Sequence, residues 1–500
     1  MIASIKNKFV TALQESSKAE IIFWYAVRAM LLVGSVLAQT QKRRLFIAAA
    51  LLFTFGITIV RCLFAKNSFF GSLSYRIQTL LCIAAFFGTV VGKCFGVLDI
   101  YPEYDVFLHL MAGFICVAIG YHIALALNKP TDKSGNFFTV FASFTISCTV
   151  AGIREIAEFI MDFELGTNFL HAEIVSDDHW FYQLFGRGMT DSIRWGGVLA
   201  QQRLYDTDED MLLAIISSLA AVAILYVWLR IKNKEFYSAK EKEKKANRLS
   251  LGTVFAQKLR NEKEKMLNDC NVCDFVLWWS VRALMIYAAF NMVKAEAILL
   301  SVNLLGTFAV SLIHLIAPSS SVLSRLSYRV QSIVTVIVFL GSYCGNYIFL
   351  YGILPRYDLF LHFTSGAMSM AAGYYLSKAF FEITNKKQAF LSAIFALSFS
   401  GMIMPVHEII EFIGDFLWGT DNQGFSWAPT SESFFFKVFG EGVGNTELYY
   451  VFDTMYDMLL AWSTALMGFA VLLVWLMVKT KKHKGRPEIN EAEEKTVRVG

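Results

Sequence analysis

EIAEFIMDFELGT at 155–167 returns, little changed, as EIIEFIGDFLWGT at 408–420. Other pairs keep the same order along the chain. WYAVRAM (24–30) pairs with WWSVRAL (278–284), and SYRIQ (74–78) with SYRVQ (327–331). YDVFLH (104–109) pairs with YDLFLH (357–362), and DTDEDMLLA (206–214) with DTMYDMLLA (453–461). Self-similarity of this kind marks an internal duplication. Around the motifs run apolar stretches of about twenty residues, the length that crosses a hydrocarbon core about 30 Å thick. Six lie near 21–38, 45–64, 77–99, 106–127, 137–163 and 210–231. Six more lie near 274–293, 297–316, 330–353, 359–381, 388–418 and 455–478. An even number of spans per copy leaves both copies facing the same way. The expected fold is an all-α polytopic membrane protein with about twelve transmembrane helices. These form two parallel six-helix repeats, related by a pseudo-twofold axis along the membrane normal.

Composition agrees. The 500 residues are 56% hydrophobic and 17% charged, with a mean hydropathy of +0.49. That profile excludes a soluble domain with a large core. The net charge of +4 is modest, and the basic residues gather where membrane topology would put them, so no nucleic-acid partner is expected. The chain divides into a first repeat (1–232), a basic linker (233–272), a second repeat (273–480) and a charged tail (481–500). Lys and Arg crowd the linker and tail, which places both, and the two termini, in the cytoplasm. Lys129, Lys133, Lys386 and Lys387 agree with this topology, and QKRR at 41–44 opposes it. The linker reads as a solvated charged segment rather than an amphipathic surface helix. The first twenty residues lack the apolar core and cleavage site of a signal peptide, so the first span is expected to stay in the mature chain. The eight cysteines are scattered. The lone C-x-x-C at Cys270 and Cys273 reads as ordinary thiols rather than a metal or redox motif.

The opening stretch also carries chemistry. An ionised side chain at the centre of a membrane helix costs about 2.5–3.5 kcal/mol. Yet Glu155, Glu158 and Asp162 follow i, i+3, i+7 spacing, one face of a helix. Glu155 lies roughly 27 Å along the helix from Phe137, near the far boundary of the bilayer, where the cost is smaller. The topology puts Asp105 and Asp206 at that same outer depth. Asp105 and His109 share a face at i, i+4, as do Asp206 and Asp210. The second copy offers Asp358 and His362, then Glu408, Glu411 and Asp415, then Asp453 and Asp457. Asp105, Asp206 and Asp210 read as helix N-terminal, where the dipole also favours them. Glu155, Glu158 and Asp162 read as C-terminal, where it does not.

Packed carboxylates repel unless something positive joins them. A divalent metal ion would do so, and the oxygen-rich set with one imidazole suits Mg²⁺, Mn²⁺, Fe²⁺ or Zn²⁺. On bundled helices the pattern also matches carboxylate-bridged two-metal sites. A shared proton is the second option. The third is Arg28 or Arg282, deep in spans one and seven, although these are expected to snorkel or pair with an acid. All fourteen residues are candidate metal ligands. Glu155, His109, Glu408 and His362 are candidates for acid–base catalysis. Arg154 before the first motif is His407 before the second, so the flanking base reads as the negotiable part. His171, Asp177, Asp178 and His179 sit in the long loop 165–209 without counterparts in 419–452, and are left out of the site.

The order Y-D-x-x-x-H…G, E-x-x-E, D-T-x-x-D-M resembles the YjdF-like family of bacterial inner-membrane proteins, defined by a domain of unknown function. The first copy matches at Tyr104, Asp105, His109, Gly113, Glu155, Glu158, Asp206, Thr207, Asp210 and Met211. The second matches at Tyr357, Asp358, His362, Gly366, Glu408, Glu411, Asp453, Thr454, Asp457 and Met458. The likeness covers roughly spans three to six of each copy. The Gly-Asp element that precedes the last aspartate in that family is missing from VLAQQRLYDTDEDM and NTELYYVFDTMYDM. The resemblance implies a bacterial inner or plasma membrane and supplies no assigned reaction. Three functions fit the residues. One is a metal-dependent hydrolase or transferase acting on a lipid-linked or small-molecule envelope precursor. Another is a proton- or cation-coupled transporter or lipid translocator. The last is a non-catalytic assembly protein that binds Ca²⁺. The bilayer is the one partner common to all three; substrate and oligomeric state stay open.

Overall fold

A computed structural model describes residues 2–38, 41–65, 68–101, 103–127, 133–165, 198–232, 251–318, 321–354, 357–383, 386–418 and 452–484. Every regular element among them is helical. The first copy holds α1 (Ile2–Glu15), α2 (Lys18–Leu37), α3 (Gln41–Leu63), α4 (Arg76–Ala85), α5 (Val97–Ile100), α6 (Tyr104–Leu127), α7 (Lys133–Leu165) and α8 (Val198–Lys232). The second holds α9 (Leu251–Asp269), α10 (Val272–Asn291), α11 (Lys294–Gly306), α12 (Ala309–Ile316), α13 (Tyr328–Val338), α14 (Leu350–Ile353), α15 (Tyr357–Phe380), α16 (Lys386–Trp418) and α17 (Phe452–Lys484).

The repeats share local chemistry. Ser17 and Glu20 form a capping box at the start of α2, and Asn271 and Asp274 form the same box on α10. Each box satisfies two backbone donors that the helix itself cannot. Both α4 and α13 run on into a π-helical stretch, Phe86–Cys94 and Phe339–Tyr347. Each stretch ends beside a left-handed residue, Gly96 (φ 67°) in one copy and Phe349 (φ 64°) in the other. Glycine adopts that conformation freely, whereas a side chain there costs about 1–2 kcal/mol. Phe349→Gly is therefore expected to stabilise the protein by about 1 kcal/mol, seen as a higher Tm in detergent. An unchanged or lower Tm would show that the ring's contact with Gly352 outweighs the strain.

Ten described helices are long and apolar enough to cross a membrane by length and composition. The stretch expected as one span at 297–316 is two helices, α11 and α12, bent by 59° between them. The remaining expected span lies in α15. Its 24 residues include Thr364, Ser365, Ser369, Ser377 and Lys378, which make it more polar than its counterpart α6, one of the ten.

Arg28 and Arg282 are buried, and neither snorkels nor meets an acid among the described residues. Each donates from Nη2 to a backbone carbonyl at 2.6 Å, Thr54 in one copy and Thr307 in the other. Each guanidinium also lies over a phenyl ring, Phe55 at 3.9 Å and Phe308 at 3.8 Å. A delocalised, weakly hydrated cation suits an aromatic face better than lysine would.

Contacts divide the chain into two compact units. The first gathers Met1–Ser250, Arg356–Gly366 and Ser398–Trp462; the second gathers Leu251–Pro355, Ala367–Leu397 and Ser463–Gly500. Within the first, α6, α7 and α8 pack pairwise against one another. Small residues permit the close approach. A side chain on Gly120 would meet the Ser143 backbone, and one on Gly113 would meet Ala214 O and Ser217 Oγ. Ser147 Oγ joins the three helices, 2.7 Å from Ser218 Oγ and 3.2 Å from Gly113 O.

In the second unit, the helical part of the basic linker is docked rather than solvated. Lys258 of α9 donates to the carbonyls of Leu315 and Ala317, both at 3.0 Å. Glu262 accepts from Tyr328 Oη and contacts His314 Nδ1, and Lys265 donates to Ser324 O. Cys270 and Cys273 are free thiols. Burial, with Asp274 and Asp269 beside it, pushes the Cys270 thiol up to about 12, which keeps it protonated and unreactive near neutral pH.

Candidate functional site

Tyr104 opens α6, and its hydroxyl donates to Phe87 O at 3.0 Å, tying the helix start to the π-helical stretch. One residue later comes Asp105, and one turn further His109, buried to 1% exposure. His109 Nε2 lies 3.3 Å from Asp105 Oδ2 and 2.7 Å from Asp210 Oδ2 of α8. These are ion-pair distances, although neither oxygen lies along the ring N–H direction as a hydrogen bond would require. Glu155 and Glu158 come in from α7, and their carboxylates share one cluster with Asp210. The five residues expected from separate motifs thus meet in space.

Arg154 is part of the same constellation. Its Nε donates to Glu158 Oε1 at 2.8 Å, and its Nη1 lies 3.1 Å from His109 Nδ1. A guanidinium can only donate, so Nδ1 must accept and the ring proton must sit on Nε2, facing the aspartates. The residue read as a negotiable flank is therefore the cation at the centre of the first site. Glu155 Oε2 and Glu158 Oε2 remain buried with no hydrogen-bond partner among the described residues. A small cavity beside Glu155 is lined by that residue with His109, Gly113, Cys116, Ser147 and Arg154. Leaving a buried acceptor unmatched costs about 1–3 kcal/mol, which favours a proton, water or cation against these oxygens.

Asp210 does not sit at a helix start. Helix α8 begins at Val198, which puts Asp210 about three turns inside and removes the dipole account of its position. Thr207, Asp208 and Glu209 are buried beside it. These two acids were missed by a reading that followed only residues shared by the two copies, because DTDED becomes DTMYD.

The second site repeats the plan with other distances. His362 Nε2 lies 3.6 Å from Asp358 Oδ1 and 3.3 Å from Asp457 Oδ2. His407 takes the place of Arg154. Its ring stacks on His362 with centroids 5.5 Å apart and planes 11° apart, and its Nε2 is 3.7 Å from Glu411 Oε1. Glu408 is buried on the same helix, outside the ligand clusters of this site. The side chains of Asp162, Asp206, Asp415 and Asp453 lie outside the described residues, as do His171, Asp177, Asp178 and His179.

The two site-bearing helices touch. Thr149 Oγ1 of α7 donates to Ser398 O of α16 at 2.7 Å, and Gly152 faces Pro405. Positions 152 and 405 stand three residues before Glu155 and Glu408, so each is the other's counterpart. A position that meets its own counterpart lies near an axis relating the copies.

No curated protein and no solved structure matches the chain. A family model described as a predicted membrane protein, DUF2238, matches it twice, at 20–231 and 274–478. Those segments cover most of the sequence and correspond to the two copies recognised from the paired motifs. The chain is a tandem-duplicated, multi-pass member of the DUF2238 family of membrane proteins.

Proposed function

We propose that this protein is a metal-dependent membrane hydrolase or transferase, with a divalent cation held by a His/carboxylate site and a lipid-linked or envelope precursor as substrate. The observation that carries the reading is an imidazole set between two aspartates of different helices in both copies, with carboxylates of a third helix nearby, Glu155 and Glu158 in one and Glu411 in the other. Histidine and carboxylate together suit Zn²⁺, Fe²⁺ or Mn²⁺. Such an ion would polarise a phosphoryl oxygen. Glu155 or Glu408 would take a proton from the attacking water or hydroxyl as the bond to phosphorus forms, and the leaving oxygen would regain one. The basic linker and tail favour cytoplasmic termini and a site facing the opposite side, in a bacterial inner or plasma membrane. The narrower YjdF-like likeness rests on the motif residues alone.

Elemental analysis of the purified protein is expected to find a divalent metal. Paired substitution Glu155→Gln and Glu408→Gln is expected to reproduce the lipid or envelope phenotype of a null strain. Metal-free protein together with wild-type behaviour of that variant would remove the reading. A second reading, a proton- or cation-coupled transporter or lipid translocator, draws on the 59° break between α11 and α12, since broken helices recur in transporters. Gradient-driven uptake into vesicles, lost when the same acids are neutralised, would favour it.

A further inference from the structure

The duplicated sites differ at one exchanged residue, and the geometry follows the exchange. In the first copy the contacts of the guanidinium are direct, 2.8 Å from Arg154 to Glu158 and 3.1 Å from Arg154 to His109 Nδ1, and His109 Nε2 lies 2.7 Å from Asp210 and 3.3 Å from Asp105. The guanidinium supplies the positive charge that the acids need. It also takes the lone pair of His109, whose other nitrogen carries the proton. A neutral imidazole binds a metal through its one lone pair, and here that lone pair is already engaged.

In the second copy the spacings open to 3.3 Å, 3.6 Å and 3.7 Å. These are long for direct hydrogen bonds. Two ligands on one metal, each about 2.1 Å from it, stand about 3–4 Å apart, which is the observed spread. Ligand atoms of His362, His407 and Glu411 all lie within 4.8 Å of one another; the first copy clusters its acids as closely, but with Arg154 in the place of His407. Among the described residues no guanidinium engages either ring. His407 is also the most exposed of these side chains, at 45%.

We infer that the two copies have divided their roles: the second binds one divalent cation of the Zn²⁺, Fe²⁺ or Mn²⁺ type through His362, His407 and Glu411, and in the first Arg154 stands where that cation would be. This inference rests on the metal reading above and adds which copy holds the ion. It leaves the first site with a fixed guanidinium in place of an exchangeable ion, and confines metal-assisted chemistry to the second.

The test is stoichiometry. Full-length protein is stripped with chelator, dialysed against Zn²⁺ and, separately, Mn²⁺, and analysed for metal per chain. One ion per chain is expected. His407→Arg, which imports the first copy's residue, is expected to weaken binding by about 100-fold. Arg154→His is expected to raise the count to two with an unchanged Tm in detergent, which separates a gained site from metal held by exposed Cys and His of misfolded protein. Two ions in the wild type would overturn the division of roles while leaving the metal reading intact. No ion in the wild type would overturn the metal reading itself. A count that stays at one in Arg154→His would show that Arg154 does not hold the cation's place, and the inference would fall.

Discussion

Gly113→Val is expected to be among the most damaging single substitutions in the first copy. A Cβ at this position would stand 2.0 Å from Ser217 Oγ and 2.8 Å from Ala214 O. A serine can turn away, but a backbone carbonyl of α8 moves only with its helix. Overpacking typically costs about 1–3 kcal/mol, and a clash with backbone belongs at the upper end. The damage also reaches the site. His109 and Asp210 each lie one turn from the contact, on α6 and α8, so forcing the helices apart stretches the 2.7 Å pair between them. The expected result is a clear fall in Tm in detergent, and a weaker metal or substrate signal if the first site takes part. A wild-type Tm would mean that α6 and α8 separate at no cost, contrary to the close packing described.

Glu262→Ala is expected to release α9. Glu262 meets both His314 Nδ1 and Tyr328 Oη, and the His314 side chain is only 2% exposed. Removing one partner of a buried pair costs about 3–5 kcal/mol, because the other partners stay behind unmatched. The Glu262 side chain is 17% exposed, which favours the lower end, about 3 kcal/mol. Hydrogen exchange at the amides of 257–269 would rise well above wild type. Glu262→Gln keeps an acceptor for Tyr328 and is expected to do less harm. Unchanged exchange in the alanine variant would show that Lys258, with its bonds to Leu315 and Ala317, holds the helix alone.

Much of the architecture could be read from paired motifs and apolar length, because a bilayer admits few ways to satisfy a backbone. The helices α6, α7 and α8 and their convergence on one set of acids followed from i, i+4 spacing and span direction. What escaped was whatever depends on side chains meeting across helices. Arg154 looked like an ordinary flanking base, since nothing in RE as a dipeptide says that the guanidinium turns toward His109 of another helix. The early start of α8 at Val198 was hidden because VLAQQRLY is polar enough to read as loop, yet is free of Gly and Pro and forms helix readily. The break between α11 and α12 was equally hidden. Copy one carries the same Thr-Phe pair at Thr54 and Phe55 inside the unbroken α3.

The facing of Gly152 and Pro405 bears on how such a protein could be assembled. Two identical halves paired about an axis must present the same residue to itself there. Glycine against glycine would leave a gap, and proline against proline would bring two rigid rings into one space. Glycine against proline fits, and only a heterologous pair can supply it. Covalent fusion ensures that every Gly152 finds a Pro405, so the halves expressed separately should favour each other over their own kind.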